Sequence, residues 1–225
     1  MSSVPSENRP RVVVVAGAGG PTGQAVTGRL AARGDIVIGV GRHAADGVEA
    51  VDLTDFAAVR DLAGRVEREH GHVDGVVHLV GGWRGSKTFA ETDLADWDAL
   101  HTQLIRTLQH VTLAFEPLLR AGGDGRFAIV SATAARRPTQ GGAVYAAAKA
   151  AAEAWTLALA DSLRDTGSAA TILVVKALVN DAMRAASPEK TFPGYTDVTA
   201  LGDAVASLWD RPASEVNGER LDLTT

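Results

Sequence analysis

From residue 11 onward, short β-branched runs alternate with longer stretches whose apolar positions recur every three or four residues. The run at 11–16 has no polar residue after Arg11, the pattern of a strand buried on both faces. Comparable runs at 36–40, 49–53, 75–80, 126–131, 169–175 and 220–223 predict further strands. A helical period appears at 23–33, closed by Gly34, and at 54–70, with Thr54 as its cap. It returns at 93–120, where Trp97, Leu100, Leu104, Leu108 and Val111 form one stripe, and at 143–164 and 198–210. Repeated βα units of this length predict right-handed crossovers and one α/β domain, a doubly wound parallel sheet in three layers, spanning residues 11–225. No repeat, linker or second domain interrupts it. Residues 182–196, holding two prolines and a glycine, lack a clear period and are read as a possible lid over the sheet's carboxyl edge.

The turn Ala16-Gly17-Ala18-Gly19-Gly20-Pro21-Thr22-Gly23 joins the first strand to the first helix. Glycines let a backbone approach a pyrophosphate, and a helix N-terminus offers free N–H groups and a favourable dipole. Pro21 suits the first helical turn. Gly17, Gly20, Pro21, Thr22 and Gly23 are therefore candidate dinucleotide contacts; a tight turn without a ligand is the alternative. The second strand ends Gly39-Val40-Gly41-Arg42, with no carboxylate for ribose hydroxyls and an arginine able to fork onto a 2′-phosphate. This favours NADP over NAD, unless Arg42 is only a solvated arginine. Asp52 is placed either to contact the adenine amino group or to serve in helix capping alone.

Tyr145 and Lys149 lie four apart in the 143–164 helix and so share a face. A free phenol titrates near ~10, and an adjacent ammonium favours the phenolate. The pair can give a proton to a carbonyl oxygen or take one from an alcohol. By itself the spacing is a weak signal; its place in the chain strengthens it.

With the glycine turn, Asp52, the fourth-strand glycine and Tyr145/Lys149 in this order, the chain resembles the short-chain dehydrogenase/reductase family from Arg11 onward. The resemblance implies a Rossmann-type fold, a nicotinamide cofactor, Tyr145 as general acid/base, and Lys149 on the nicotinamide ribose. It also implies cofactor contacts at Val80, Gly81 and Val179. Departures are several. Ala16 replaces a threonine and Pro21 a glycine, although Gly17-x-x-Gly20-x-x-Gly23 is similar to the spacing of extended and atypical members. Asn-Asn-Ala-Gly becomes His78-Leu79-Val80-Gly81. The family's serine, thirteen residues before Tyr145, is Ala132, flanked by Ser131 and Thr133. Ser131 is the candidate substitute, but strand alternation turns it to the other face unless a bulge shifts it. The relay asparagine is Leu104, read as packing in its stripe. The Pro-Gly after the sixth strand is Lys176-Ala177, whose lysine reaches a phosphate or the substrate, or is solvated. His78 is expected to be structural, and Trp83 to wall a substrate pocket.

Composition narrows the classes. The 225 residues have no cysteine, a net charge of −5 and 46% hydrophobic residues. Thiolate metal sites and disulfides are excluded, the histidines show no metal-ligand spacing, and no basic run suits nucleic acid or an anionic membrane. No membrane-length apolar run occurs, and residues 1–10 read as a disordered polar leader without signal-peptide character, so a cytoplasmic location is expected. The resemblance implies a homodimer or homotetramer, with Leu100, Leu104, Leu108, Val111, Trp155 and Leu159 packing core and partner alike. The leading reading is an NADP-dependent oxidoreductase interconverting a carbonyl and an alcohol. A catalytically weakened NADP(H) sensor or assembly protein is the alternative, and isomerase or epimerase chemistry with bound cofactor is a third.

Overall fold

The computed structural model describes residues 9–224, so most of the expected leader lies outside the described residues. The main-sheet strands are β1 (Val12–Ala16), β2 (Ile36–Gly41), β3 (Val48–Ala50), β4 (Gly75–His78), β5 (Arg126–Ala132), β6 (Ala169–Val175) and, last in the chain, β9 (Arg220–Asp222). They form one parallel sheet in the order β3-β2-β1-β4-β5-β6-β9. Strand order therefore reverses between β1 and β4, and the carboxyl ends there open a crevice suited to a ligand.

Alternation along β1 assigns the two faces. Val12, Val14 and Ala16 join a core with Val59 and Leu62 of α2 (Phe56–His70), Leu108 and Val111 of α4 (Thr107–Gly122), and Ala148 of α5 (Ala143–Ser162). Val13 and Val15 join the opposite core with Val26 and Leu30 of α1 (Pro21–Ala32) and Leu201 and Val205 of α7 (Val198–Ala206). Both faces are thus covered, as continuous apolar strands require.

The expected 93–120 helix is real but composite. Asp93 caps α3 (Leu94–Leu100), which continues through π-helix at His101–Arg106 into α4. Leu104 is buried in that π segment and packs in the core. Leu100, Leu108, Val111 and Leu159 are likewise buried in the core and Trp155 packs half-buried against it, while α4 and α5 leave Leu113 and Leu157 exposed. The cap of α2 is Asp55, accepting from Ala57 N at 2.9 Å, rather than Thr54. Thr54 is already engaged: its N–H and hydroxyl both donate to Asp52 Oδ1, at 2.8 and 2.6 Å.

The 182–196 segment is more regular than its sequence suggests. Asn180 caps α6 (Asp181–Ala186), accepting from Met183 N at 2.8 Å. A small second sheet pairs β7 (Leu178–Val179) with β8 (Thr196–Asp197), and Arg184 bonds Asp197 at 2.6 Å across the segment. A four-residue helix, α8 (Ala213–Val216), precedes β9. Among the described residues no helix is long and apolar enough to cross a membrane.

Candidate active site

Two clefts meet at the glycine turn, sharing Gly17, Gly20, Leu79, Val80 and Gly81. Gly17 adopts φ +90°, and a Cβ there would stand 2.9 Å from the Leu79 carbonyl carbon. A Cβ on Gly23 would stand 2.3 Å from the Gly17 carbonyl oxygen, so α1 can pack on this turn only with glycine at that position. Helix α1 starts at Pro21 with no side-chain cap and no acidic residue in its first turn. Its first N–H groups have no intrahelical acceptor. Gly20 faces both clefts, while Pro21, Thr22 and Gly23 line the second. An anionic pyrophosphate fits this edge by charge and by space.

The first cleft, about 890 Å³, runs from the turn past Arg42 and His43 to Asp52. Arg42 is exposed there. The bonds from Thr54, its hydroxyl first and then its N–H, hold the Asp52 carboxyl below its ordinary range, and the Arg42 charge adds to this. Asp52 thus closes a turn before α2 and also lines the cleft, while helix capping proper belongs to Asp55. Gln103, next to buried Leu104, also lines this cleft and donates through Nε2 to the Gly81 carbonyl.

The second cleft, about 990 Å³, holds Tyr145 and Lys149 on one wall with His78 at its base. Lys149 donates from Nζ to the Val130 carbonyl at 2.8 Å, and its ammonium lies 5.8 Å from the Tyr145 ring centre. Burial pulls the Lys149 amine down to about 8, opposed by the negative charge of Glu153. Burial also pushes the Tyr145 phenol above its usual value, the reverse of the lowering expected from the lysine alone. In this structure desolvation outweighs the neighbouring cation for the phenol.

His78 is buried and neutral, its pKa driven down to about 3 by burial first and then by the Lys149 charge. Thr107 donates its hydroxyl proton to the Gln103 carbonyl at 2.7 Å, so the 3.0 Å contact to His78 Nε2 assigns the proton to that nitrogen. Buried and hydrogen-bonded to Thr107, the histidine is held in place between β4 and the helix that carries Thr107.

Ser131 follows the strand alternation and turns its hydroxyl to another partner. Its side chain borders the cleft, but Oγ donates to Glu153 Oε1 at 2.6 Å. A hydroxyl has a single proton to give, so Ser131 is not free to polarise a carbonyl. Glu153 in turn accepts from Arg220 Nε at 2.8 Å and Nη2 at 2.9 Å, a partly buried bidentate pair between α5 and β9. No bulge reverses the strand: β5 keeps regular register with β6 through Ala132. Val179 does not line the cleft with its side chain. It is buried and pairs with Asp197 in the β7–β8 sheet, while Lys176, Ala177 and Leu178 just before it line the cleft.

Trp83 lines the second cleft, as expected, with 66% of its surface exposed. Sequence reasoning missed Ser86, Lys87, Thr139 and Tyr195, all on the same cleft. Ser86 N donates to the Gly141 carbonyl at 2.9 Å, locking the loop after β4 to the turn before α5. The Gly141-Gly142 pair just ahead of Tyr145 was the available signal for such a close approach.

A family sequence model described as short chain dehydrogenase matches residues 11–191. The chain belongs to that family. Nodulation protein G of Azospirillum brasilense is 27% identical over 237 residues, covering 95% of this chain and 96% of the relative. Two solved structures share the fold. ElxO with NADP bound has a TM-score of 0.83 at 14% identity, covering 96% of this chain and 97% of its own. A 3-ketoacyl-(acyl-carrier-protein) reductase from Brucella melitensis, complexed with NADH, has a TM-score of 0.80 at 22% identity, covering 95% and 96%.

Proposed function

We propose that this short-chain dehydrogenase is an NADP-dependent oxidoreductase that interconverts a carbonyl and an alcohol, with Tyr145 as general acid/base. The observation that carries the reading is that Tyr145 and Lys149 line the same cleft as the uncapped glycine turn at the strand-order reversal. When bound, the nicotinamide supplies or accepts the hydride. Tyr145 holds the proton that the substrate oxygen gains on reduction, and its raised pKa keeps the phenol protonated at neutral pH. Lys149, anchored on the Val130 carbonyl, holds a positive charge beside the phenol and supports the developing phenolate. Arg42, exposed on the first cleft and without a carboxylate at the strand end, supports NADP over NAD. Thr139 lines the catalytic wall six residues before Tyr145 and makes no capping bond, so its hydroxyl is an uncommitted donor.

Tyr145→Phe tests the reading. Its turnover of carbonyl substrates with NADPH should fall by ~10² or more, the usual contribution of a positioned acid. Nucleotide affinity should stay within about twofold of the parent, since the phenol's task is the proton. Turnover retained at the parent rate removes Tyr145 from the mechanism.

The commitment of Ser131 to Glu153, with Ala132 and Leu104 at the family's other two positions, favours one competing reading. This is a nucleotide-binding protein with weakened catalysis, acting as an NADP(H) sensor or assembly partner. Losing one donor to a developing oxyanion costs about 3–4 kcal/mol of barrier. Tight NADPH binding with no turnover across chemically diverse carbonyls would favour this second reading.

A further inference from the structure

The charge lining the second cleft is of one sign. Lys87, Lys149 and Lys176 border it, His78 at its base is neutral, and no Asp or Glu lies on it among the described residues. The whole chain carries a net charge of −5, so this is a local reversal of the protein's overall sign. Positive charge gathered in a concave, partly apolar site focuses the field and concentrates anions.

Lys176 is built into position. It leaves the end of β6, and its stem lies against Gly194, where a Cβ would stand 3.3 Å from Cδ. Its Nζ donates to the Pro193 carbonyl at 3.1 Å and lies 6.0 Å from the centre of the Tyr195 ring. No carboxylate pairs with it among the described residues, so two of its three donors remain for a ligand. The 193–195 stretch therefore acts as a holder for this ammonium, and Tyr195 brings it to the cleft that contains Tyr145. Lys87 stands on the loop that Ser86 locks to Gly141, and it too has no carboxylate partner among the described residues.

We infer that the substrate carries an anionic group, a carboxylate or phosphate, received by Lys176 with support from Lys87 while its carbonyl faces Tyr145. This rests on the oxidoreductase reading and names its substrate class. An ammonium offers charge-assisted bonds to either anion, so carboxylate and phosphate are separated by experiment.

The experiment compares matched pairs with saturating NADPH: acetoacetate against methyl acetoacetate, and dihydroxyacetone phosphate against dihydroxyacetone. The charged member of at least one pair should be preferred by about tenfold or more in kcat/KM, the scale of one charge-assisted hydrogen bond. Which pair discriminates identifies the anion. In Lys176→Met that preference should collapse through KM, and in Lys87→Gln it should shrink by a smaller factor. Equal use of charged and neutral members, or a preference untouched by Lys176→Met, overturns the inference. So does weaker NADPH binding in Lys176→Met without loss of the preference, because the lysine would then serve the nucleotide.

If no pair turns over, intrinsic tryptophan fluorescence of the NADP⁺ complex decides, with Trp83 on the cleft as its reporter. Saturable binding of malonate but not dimethyl malonate, lost in Lys176→Met, upholds the anion site while the oxidoreductase reading fails. Binding of neither, or of both alike, overturns the anion site.

Discussion

The proposed nucleotide cradle and the proposed catalytic wall sit side by side at the carboxyl edge of one sheet, yet they are made of different material. The cradle is mostly backbone: Gly17 with its positive φ, Gly23 beneath the Gly17 carbonyl, and the uncapped start of α1. The wall is mostly side chain: Tyr145, Lys149 and a serine whose proton belongs to Glu153. A turn made of main chain can take Pro21 where the family has glycine, because proline also suits a first helical turn. A site made of side chains depends on the identity of each residue, and Ala132 brings no hydroxyl to it.

The sharpest way to break this contrast is Gly23→Ala. The added methyl would sit 2.3 Å from a main-chain oxygen, so the turn must open. Overpacking of this kind costs about 1–3 kcal/mol of stability. NADPH binding should disappear from a calorimetric titration in which the parent protein saturates. Normal binding would show that the cradle tolerates displacement and that its glycines are not its essential material.

Arg42→Ala should act more gently, because it removes one exposed side chain and leaves the main-chain edge intact. NADPH affinity should drop about tenfold, the scale of one charge-assisted contact, while NADH affinity holds. Equal effects on both nucleotides would show that Arg42 does not read the 2′-phosphate.

Ser131→Ala should have the smallest effect on rate. Removing a donor to a buried carboxylate costs about 1–3 kcal/mol of stability, read as a lower denaturant midpoint. With its proton committed to Glu153, loss of the hydroxyl should change kcat by less than about threefold, against the 10²–10³ of an oxyanion donor. A hundredfold fall would restore Ser131 to the chemistry.

The difference in material also explains what the sequence disclosed. The β1–turn–α1 unit is local: its β-branched run, glycines and proline are consecutive, and the structure reproduces it within two residues of the expected helix start. Tyr145 and Lys149 fall on one helix, so their meeting follows from helical period alone. The Ser131–Glu153–Arg220 set joins residues 22 and 67 positions apart, one of them on an edge strand, and no periodicity announces such a meeting. Capping of α2 misled for a different reason. Thr54 and Asp55 are both competent caps, and the contest is decided by Asp52, which engages Thr54 first. The burial of Val179 was not legible because its two-residue strand pairs with Thr196 and Asp197, beyond any local window.

The ion pair between Glu153 and Arg220 carries one more consequence, concerning time rather than geometry. The arginine follows the glutamate by 67 residues. During synthesis, at roughly 5–20 residues per second, the carboxylate is therefore exposed for several seconds before its cation leaves the ribosome. The strand carrying Arg220 is the last of the sheet to be made, so this tie to α5 can form only at the end of synthesis.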